Sequence, residues 1–131
     1  DCTWHRNRLF EAPHRLESVQ NAVDQAKVAA ASLLGQAQPY ADLPWFWSDQ
    51  FDVKLQIAGL SAGHDEFVLR GEPTPAGFSV YYFKAGRLLA VDSLNRPADH
   101  MLARRLLLAG TAITPAQAGD PACDLKSLLA A

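Results

Sequence analysis

The feature that most constrains this 131-residue chain is a change of period near its middle. From Val19 the apolar residues Val19, Val23, Ala26, Ala30 and Leu33 recur at helical spacing, whereas FDVKLQIAG, from Phe51, alternates strictly. Phe51, Val53, Leu55 and Ile57 point one way and Asp52, Lys54 and Gln56 the other, the pattern of a strand with one buried face. Further short apolar and aromatic runs follow, so the chain combines helices with a sheet.

The first helix is placed at about Ser18–Leu34, with polar Glu17 and Ser18 at its start and Gly35 at its stop. Residues 2–13 carry no period and read as a loop. The stretch 36–44 holds two prolines and reads as a linker, which divides the chain into 1–35 and 36–131. Strands are expected at Phe51–Ile57, Phe67–Arg70, Phe78–Lys84 and Arg87–Leu94, all built on β-branched and aromatic residues. Ala85-Gly86 turns the last two into a hairpin, and connections this short make the sheet antiparallel. Asn95-Arg96-Pro97 begins a helix that Gly110 stops, and Asp120-Pro121 starts a last short helix through Leu129. The predicted class is α+β: an antiparallel β-meander of four to five strands with helices packed on one face, preceded by one helix.

Composition excludes several functions. With 49% hydrophobic and 20% charged residues and a net charge of -2, the chain has no electrostatic reason to bind nucleic acid or an anionic membrane. The stretches VAAASLLG and LLLAG fall far short of the roughly 18–20 apolar residues that span a bilayer, and no signal-peptide pattern opens the chain, so a soluble cytoplasmic protein is expected. Cys2 and Cys123 read as free thiols. Cys2, His5 and His14 lack the second ligand pair that a structural zinc site needs, and no metal is expected. Ser48-Asp49 with His64 has no strand-elbow context and reads as turn and capping groups. No Gly-rich phosphate loop occurs. Arg104-Arg105 reads as a solvated helix face. The run PWFWSDQ, three aromatic rings and then a polar tail that suggests a turn, suits either a core or a ligand wall. Taken by themselves, the residues describe an α+β domain without a self-contained catalytic site. An opening residue that is Asp rather than Met suggests a piece of something longer.

PWFWSDQFDVKLQIAGL, together with RLESVQNAVDQAKVAAASLLG upstream and FSVYYFKAGRLLAVDSLNRPADHMLARRLL downstream, resembles the C-terminal part of the FAD- and NAD(P)H-dependent ferredoxin reductases of the putidaredoxin and rubredoxin reductase type. The resemblance implies an oxidoreductase that passes electrons from NAD(P)H through FAD to a ferredoxin or rubredoxin serving an oxygenase. Asp1 would match the aspartate that holds the flavin's ribityl chain. Glu17, Ser18 and Val19 would set the start of the first helix against the pyrimidine edge of the flavin, where oriented amides stabilise negative charge. Trp47 would lie closest to the flavin and near the docking site of the iron–sulfur partner, with Arg15 and Lys54 steering that partner. Trp45 and Phe46 would pack as ordinary core at the hinge. The two nucleotide-binding domains of the family would lie before Asp1, so the chain alone is expected to bind neither cofactor and to be inactive. The alternative is an interaction or dimerisation module, a homodimer included, because related disulfide reductases dimerise through a similar domain.

Overall fold

The computed structural model describes residues 2–7, 9–10 and 13–130. It divides into two compact units, Asp1–Phe46 and Trp47–Ala131.

The first unit is built around helix α1, Val19–Leu33. Ser18 caps it, its hydroxyl accepting from the Asn21 amide at 3.1 Å, which satisfies one of the amides that a helix start leaves open. At the other end Gly35 takes φ 76, and the Gln36 amide returns to the Ala31 carbonyl at 2.8 Å. The helix turns its polar side inward. Gln20 and Asn21 are buried, while Val19, Val23 and Leu33 of the apolar stripe are exposed. Polar side chains tie this unit together: Asn21 Nδ2 donates to the Leu16 carbonyl at 2.8 Å, Asn7 Nδ2 to the Asp42 carbonyl at 2.8 Å, and Gln20 Oε1 accepts from the Trp45 amide at 3.3 Å. Apolar burial, the usual dominant contribution to stability, is sparse here.

The chain from Trp45 onward carries a five-stranded sheet, all but the first two residues of which belong to the second unit. Its strands are β1 (Trp45–Gln50), β2 (Val53–Gly59), β3 (Glu66–Arg70), β4 (Phe78–Lys84) and β5 (Arg87–Leu94), in the spatial order β1-β2-β5-β4-β3. The antiparallel α+β sheet is therefore present, with β3-β4-β5 running consecutively as a meander and β2 added beside β5 rather than beside β3. Ala85 and Gly86 both take positive φ (48 and 76), the geometry that closes a two-residue hairpin without splaying its strands.

Two expectations are corrected at the first hairpin. PWFWSDQ does not turn at its polar tail: the strand runs to Gln50, and Phe51, expected inside the next strand, is the fully exposed turn residue with φ 56. The inward face of β2 is also the opposite of the one expected. Ala58 pairs with Val91 and Gln56 with Ser93, on the side where the core lies, which leaves Val53, Leu55 and Ile57 on the other face. Ala58, Tyr81, Phe83, Leu88 and Val91 pack there against Ala103 and Leu106 of α2 (Pro97–Ala109) and against Ile113, Ala118 and Leu125. Alternation identifies two faces of a strand but not which one a helix covers.

The chain end is corrected too. The helix expected from Asp120 is instead α3, Pro115–Gly119, followed by turns and a 3₁₀ turn at Ser127–Ala130. Thr114 and Gln117 form a capping box, with Pro115 in the first turn. Asp120 precedes Pro121 and is extended, as steric clash with the proline ring dictates. Arg70 on β3 secures this segment: its guanidinium donates to the carbonyls of Ala118, Asp120, Pro121 and Cys123. A planar fork of donors suits such a cluster in a way an ammonium does not.

Candidate functional site

Strand β1 carries the candidate aromatic residues. As successive strand residues, Phe46 and Trp47 are presented on opposite faces. Both residues stay partly exposed, Phe46 at 43% and Trp47 at 39%. Ser48 and Asp49, read as turn and capping groups, are strand residues. Lys54 lies on the neighbouring strand β2, where it is exposed; its amide donates to Asn95 Oδ1 at 2.8 Å and its carbonyl accepts from the Asn95 amide at 2.9 Å. Asn95, at φ 52, also donates from Nδ2 to the Pro75 carbonyl at 3.1 Å. One asparagine thereby joins the end of β5 to the start of β2 and to the loop before β4.

In the first unit the residues Arg15, Glu17, Ser18 and Val19 gather at the start of α1. Arg15 and Glu17 form an exposed ion pair at 2.7 Å. Val19 is 63% exposed beside the Ser18 cap. The result is an accessible helix start flanked by one cation and one carboxylate. Asp1 lies outside the described residues. His5 and His14 face each other across an isolated antiparallel bridge, with backbone bonds of 3.0 and 2.8 Å. His5 Nδ1 meets Gln25 Nε2 at 3.3 Å, and burial holds the His14 pKa below its ordinary value, assisted by the charge of His5. Cys2 is exposed, and both cysteines are free. Among the described residues no three His, Cys, Asp or Glu side chains come together as metal ligands. Nor is any helix there long and apolar enough to cross a membrane.

His64, once weighed with Ser48-Asp49, is engaged elsewhere. Its Nδ1 lies 2.9 Å from the Ser61 carbonyl, and its ring meets Tyr82 and Phe67 edge-on at 5.0 and 6.3 Å. Tyr82 belongs to a pair that sequence reasoning missed: its hydroxyl donates to Asp92 Oδ2 at 2.9 Å on the sheet face away from α2. Burial raises the Asp92 pKa and the Tyr82 hydrogen bond opposes that rise, while burial and then the bond to Asp92 push Tyr82 up to about 12. The available signal was a carboxylate following the apolar run LLAV in the strand RLLAVDSL.

This sheet, flanked by α2 and the short α3 and led by an aromatic strand, is that of a reductase C-terminal domain. Residues 45–129 match the family model described as "Reductase C-terminal", and the chain belongs to that family. Rhodocoxin reductase of Rhodococcus erythropolis is 52% identical over 88% of this chain and 27% of its own length. Putidaredoxin reductase of Pseudomonas putida is 37% identical over 100% of this chain and 31% of its own. Among solved structures, the covalent putidaredoxin reductase–putidaredoxin complex superposes with TM-score 0.91 at 37% identity, over 99% of this chain and 31% of that one. The ferredoxin reductase for the CYP199A2 system of Rhodopseudomonas palustris superposes with TM-score 0.86 at 50% identity, over 92% and 30%. The chain thus spans about a third or less of the length of the relatives it matches.

Proposed function

We propose that this chain is the C-terminal segment of an NAD(P)H-dependent ferredoxin reductase, which delivers electrons through FAD to a ferredoxin-type iron–sulfur protein serving an oxygenase. The observation that carries the reading is the continuous similarity to ferredoxin reductases, 37–52% identical, across the whole aromatic strand, sheet and α2. FAD supplies the step from a two-electron hydride donor to a one-electron acceptor. This chain's residues supply surroundings. Ser18 and Val19 present a capped but accessible helix start, whose oriented amides suit an electron-rich ring edge. Glu17 holds Arg15 beside it. Trp47, partly exposed, is assigned the wall over the flavin, where it excludes water and offers a flat anchor to the partner. Asp1 is assigned the ribityl chain, and Arg15 and Lys54 the steering of the partner by charge. Without the nucleotide-binding domains, the 131 residues alone take neither cofactor and do not turn over; a cytoplasmic enzyme is the matching setting.

The test uses the full-length reductase. Trp47→Ala removes a partly exposed ring, so folding is largely retained, while ferredoxin-dependent turnover falls about tenfold or more, as loss of an anchoring aromatic does. NAD(P)H-to-ferricyanide turnover, which needs no docked protein, falls much less. Arg15→Ala and Lys54→Ala weaken the ferredoxin reaction mainly at low salt. Equal losses with both acceptors, independent of ionic strength, would identify Trp47 as a packing residue and the two cations as solvated surface.

A further inference from the structure

The turn that joins β1 to β2 consists of two residues, Phe51 and Asp52, between Gln50 and Val53. Its first position takes φ 56. In a two-residue hairpin such a position belongs to glycine, with Asn or Asp as the usual substitutes, because a larger side chain is strained in the left-handed region. For a bulky residue the conformation is an outlier. Phe51 is therefore held in a conformation that disfavours it, and its side chain is fully exposed, so no burial within this chain offsets the strain. The other two non-glycine residues with positive φ are different. Ala85 has no large side chain, and its amide donates to Asp65 Oδ2 at 2.9 Å. Asn95 is chemically suited to the region, and its side chain bonds the Lys54 amide and the Pro75 carbonyl. Strain kept at an exposed apolar residue, with no such local return, points to a use for that residue outside the chain.

We propose that Phe51 anchors the ferredoxin-type partner and sets which ferredoxins this reductase accepts. The inference rests on the reductase reading above and deepens its docking site. Size selects a partner that comes and goes. The ring stands alone: its neighbours Asp49, Gln50, Asp52, Val53 and Lys54 are all exposed and, Val53 apart, polar. That is the form of a single hot spot within a polar rim, whereas a permanent contact is made by a broad apolar area. Position selects the same occupant, because Phe51 ends the hairpin that carries Trp47 on one strand and Lys54 on the other, the two residues of this unit assigned to docking. Charge then supplies the discrimination. Asp49 and Asp52 lie within two positions of the ring. A ferredoxin that sets a carboxylate beside them meets repulsion, and one that offers an apolar depression with a neutral or basic border is accepted. The ring's contribution is burial of apolar surface, which salt does not screen.

The test uses the full-length reductase with putidaredoxin and a panel of other small iron–sulfur ferredoxins as electron acceptors. Phe51→Asn removes the ring and keeps a residue suited to the turn, and Phe51→Tyr keeps the ring. For the ferredoxin that the wild type reduces best, Phe51→Asn should raise KM about tenfold or more at both low and high salt. It should also level the preference among the panel and leave NAD(P)H-to-ferricyanide turnover unchanged, while Phe51→Tyr keeps the wild-type KM. Lys54→Ala gives the contrasting loss, which fades as salt is added. Hydroxyl-radical footprinting of wild-type Phe51 needs no substitution: the ring should be oxidised readily in the reductase alone and several times more slowly with saturating ferredoxin. An unchanged ferredoxin KM in Phe51→Asn, or equal oxidation of Phe51 with and without ferredoxin, would overturn the proposal. Protection of Phe51 in the reductase alone would overturn it too, since the occupant would then be another part of the same polypeptide, or a second copy where protection grows with concentration. A wild type that fails to pass electrons from NAD(P)H to ferricyanide would overturn the reductase reading itself, and the inference with it.

Discussion

At the scale of single residues, the core holds a group whose chemistry does not match its surroundings. Tyr81 on β4 is fully buried, and its hydroxyl has no hydrogen-bond partner among the described residues. Burial, with the Asp99 charge adding to it, pushes its pKa up to about 12. Leaving a buried hydroxyl unsatisfied costs about 1–3 kcal/mol. Tyr81→Phe keeps the ring and removes that cost, so denaturant unfolding at neutral pH should show a gain of about 1 kcal/mol. The pH dependence gives an independent reading. Above pH 10 an unfolded tyrosine ionises while folded Tyr81 holds its proton to about 12, so the unfolded state binds fewer protons and stability falls as pH rises between those values. The Phe variant should lose this component of the alkaline decline. A variant less stable than wild type at neutral pH would mean that the hydroxyl is satisfied, and an unchanged slope above pH 10 would mean that its folded pKa is not raised. The neighbouring polar groups are paired: Ser79 donates to Asp99 at 2.9 Å and reaches Ser93 at 3.3 Å, and Arg96 Nε donates to Asp99 at 3.2 Å.

At the scale of elements, the β1–β2 hairpin carries a visible conflict between local and global preference. Its turn places Phe51 at φ 56 with its side chain fully in solvent. A bulky residue in the left-handed region costs about 1–2 kcal/mol, and here no burial offsets it. Asn adopts that region far more readily. Phe51→Asn should therefore raise the melting temperature of the chain by a few degrees, as about 1 kcal/mol does for a domain this size. An unchanged or lower value would show that the aromatic ring contributes contacts that its exposure hides. The closing elements show the reverse case, in which local signals agree. Thr114 and Gln117 bond reciprocally at the start of α3, Pro115 occupies the position where it costs nothing, and Arg70 gathers the carbonyls that follow.

At the scale of the whole molecule, the two units are stabilised differently. The second is organised around a contiguous apolar cluster from Ala58 to Leu125. The first buries Asn7, Gln20 and Asn21 and leaves much of its helix stripe in solvent. Residues 34–39, inside the first unit between α1 and β1, are exposed and carry no strand or regular helix beyond the turn at Leu34-Gly35, and exposed connections of this kind are where proteases cut first. Brief proteolysis of the 131-residue chain should yield a persistent product that begins between residues 34 and 44 and retains the sheet, identified by mass and N-terminal sequence. Cleavage first inside β4, β5 or α2 would show that the apolar cluster is not the stable nucleus assumed here.

What the sequence determined alone is what depends on near neighbours along the chain. The spans of β4, β5 and α2 follow from β-branched and aromatic runs, the Ala-Gly turn and the Pro and Gly stops, and the observed elements coincide with them. The resemblance of PWFWSDQ and its flanks to ferredoxin reductases was legible for the same reason, because a family's motifs are contiguous text. The reductase family is shown by similarity along the chain, whereas the roles given to Asp1, Glu17, Ser18, Val19, Arg15, Lys54 and Trp47 stay with the proposed function. Only the tertiary structure decided that β2 lies against β5, that Ala58 rather than Leu55 faces α2, and that Tyr82 meets Asp92. Alternation is symmetric between the two faces of a strand, and the choice between them is made by a helix forty residues further along.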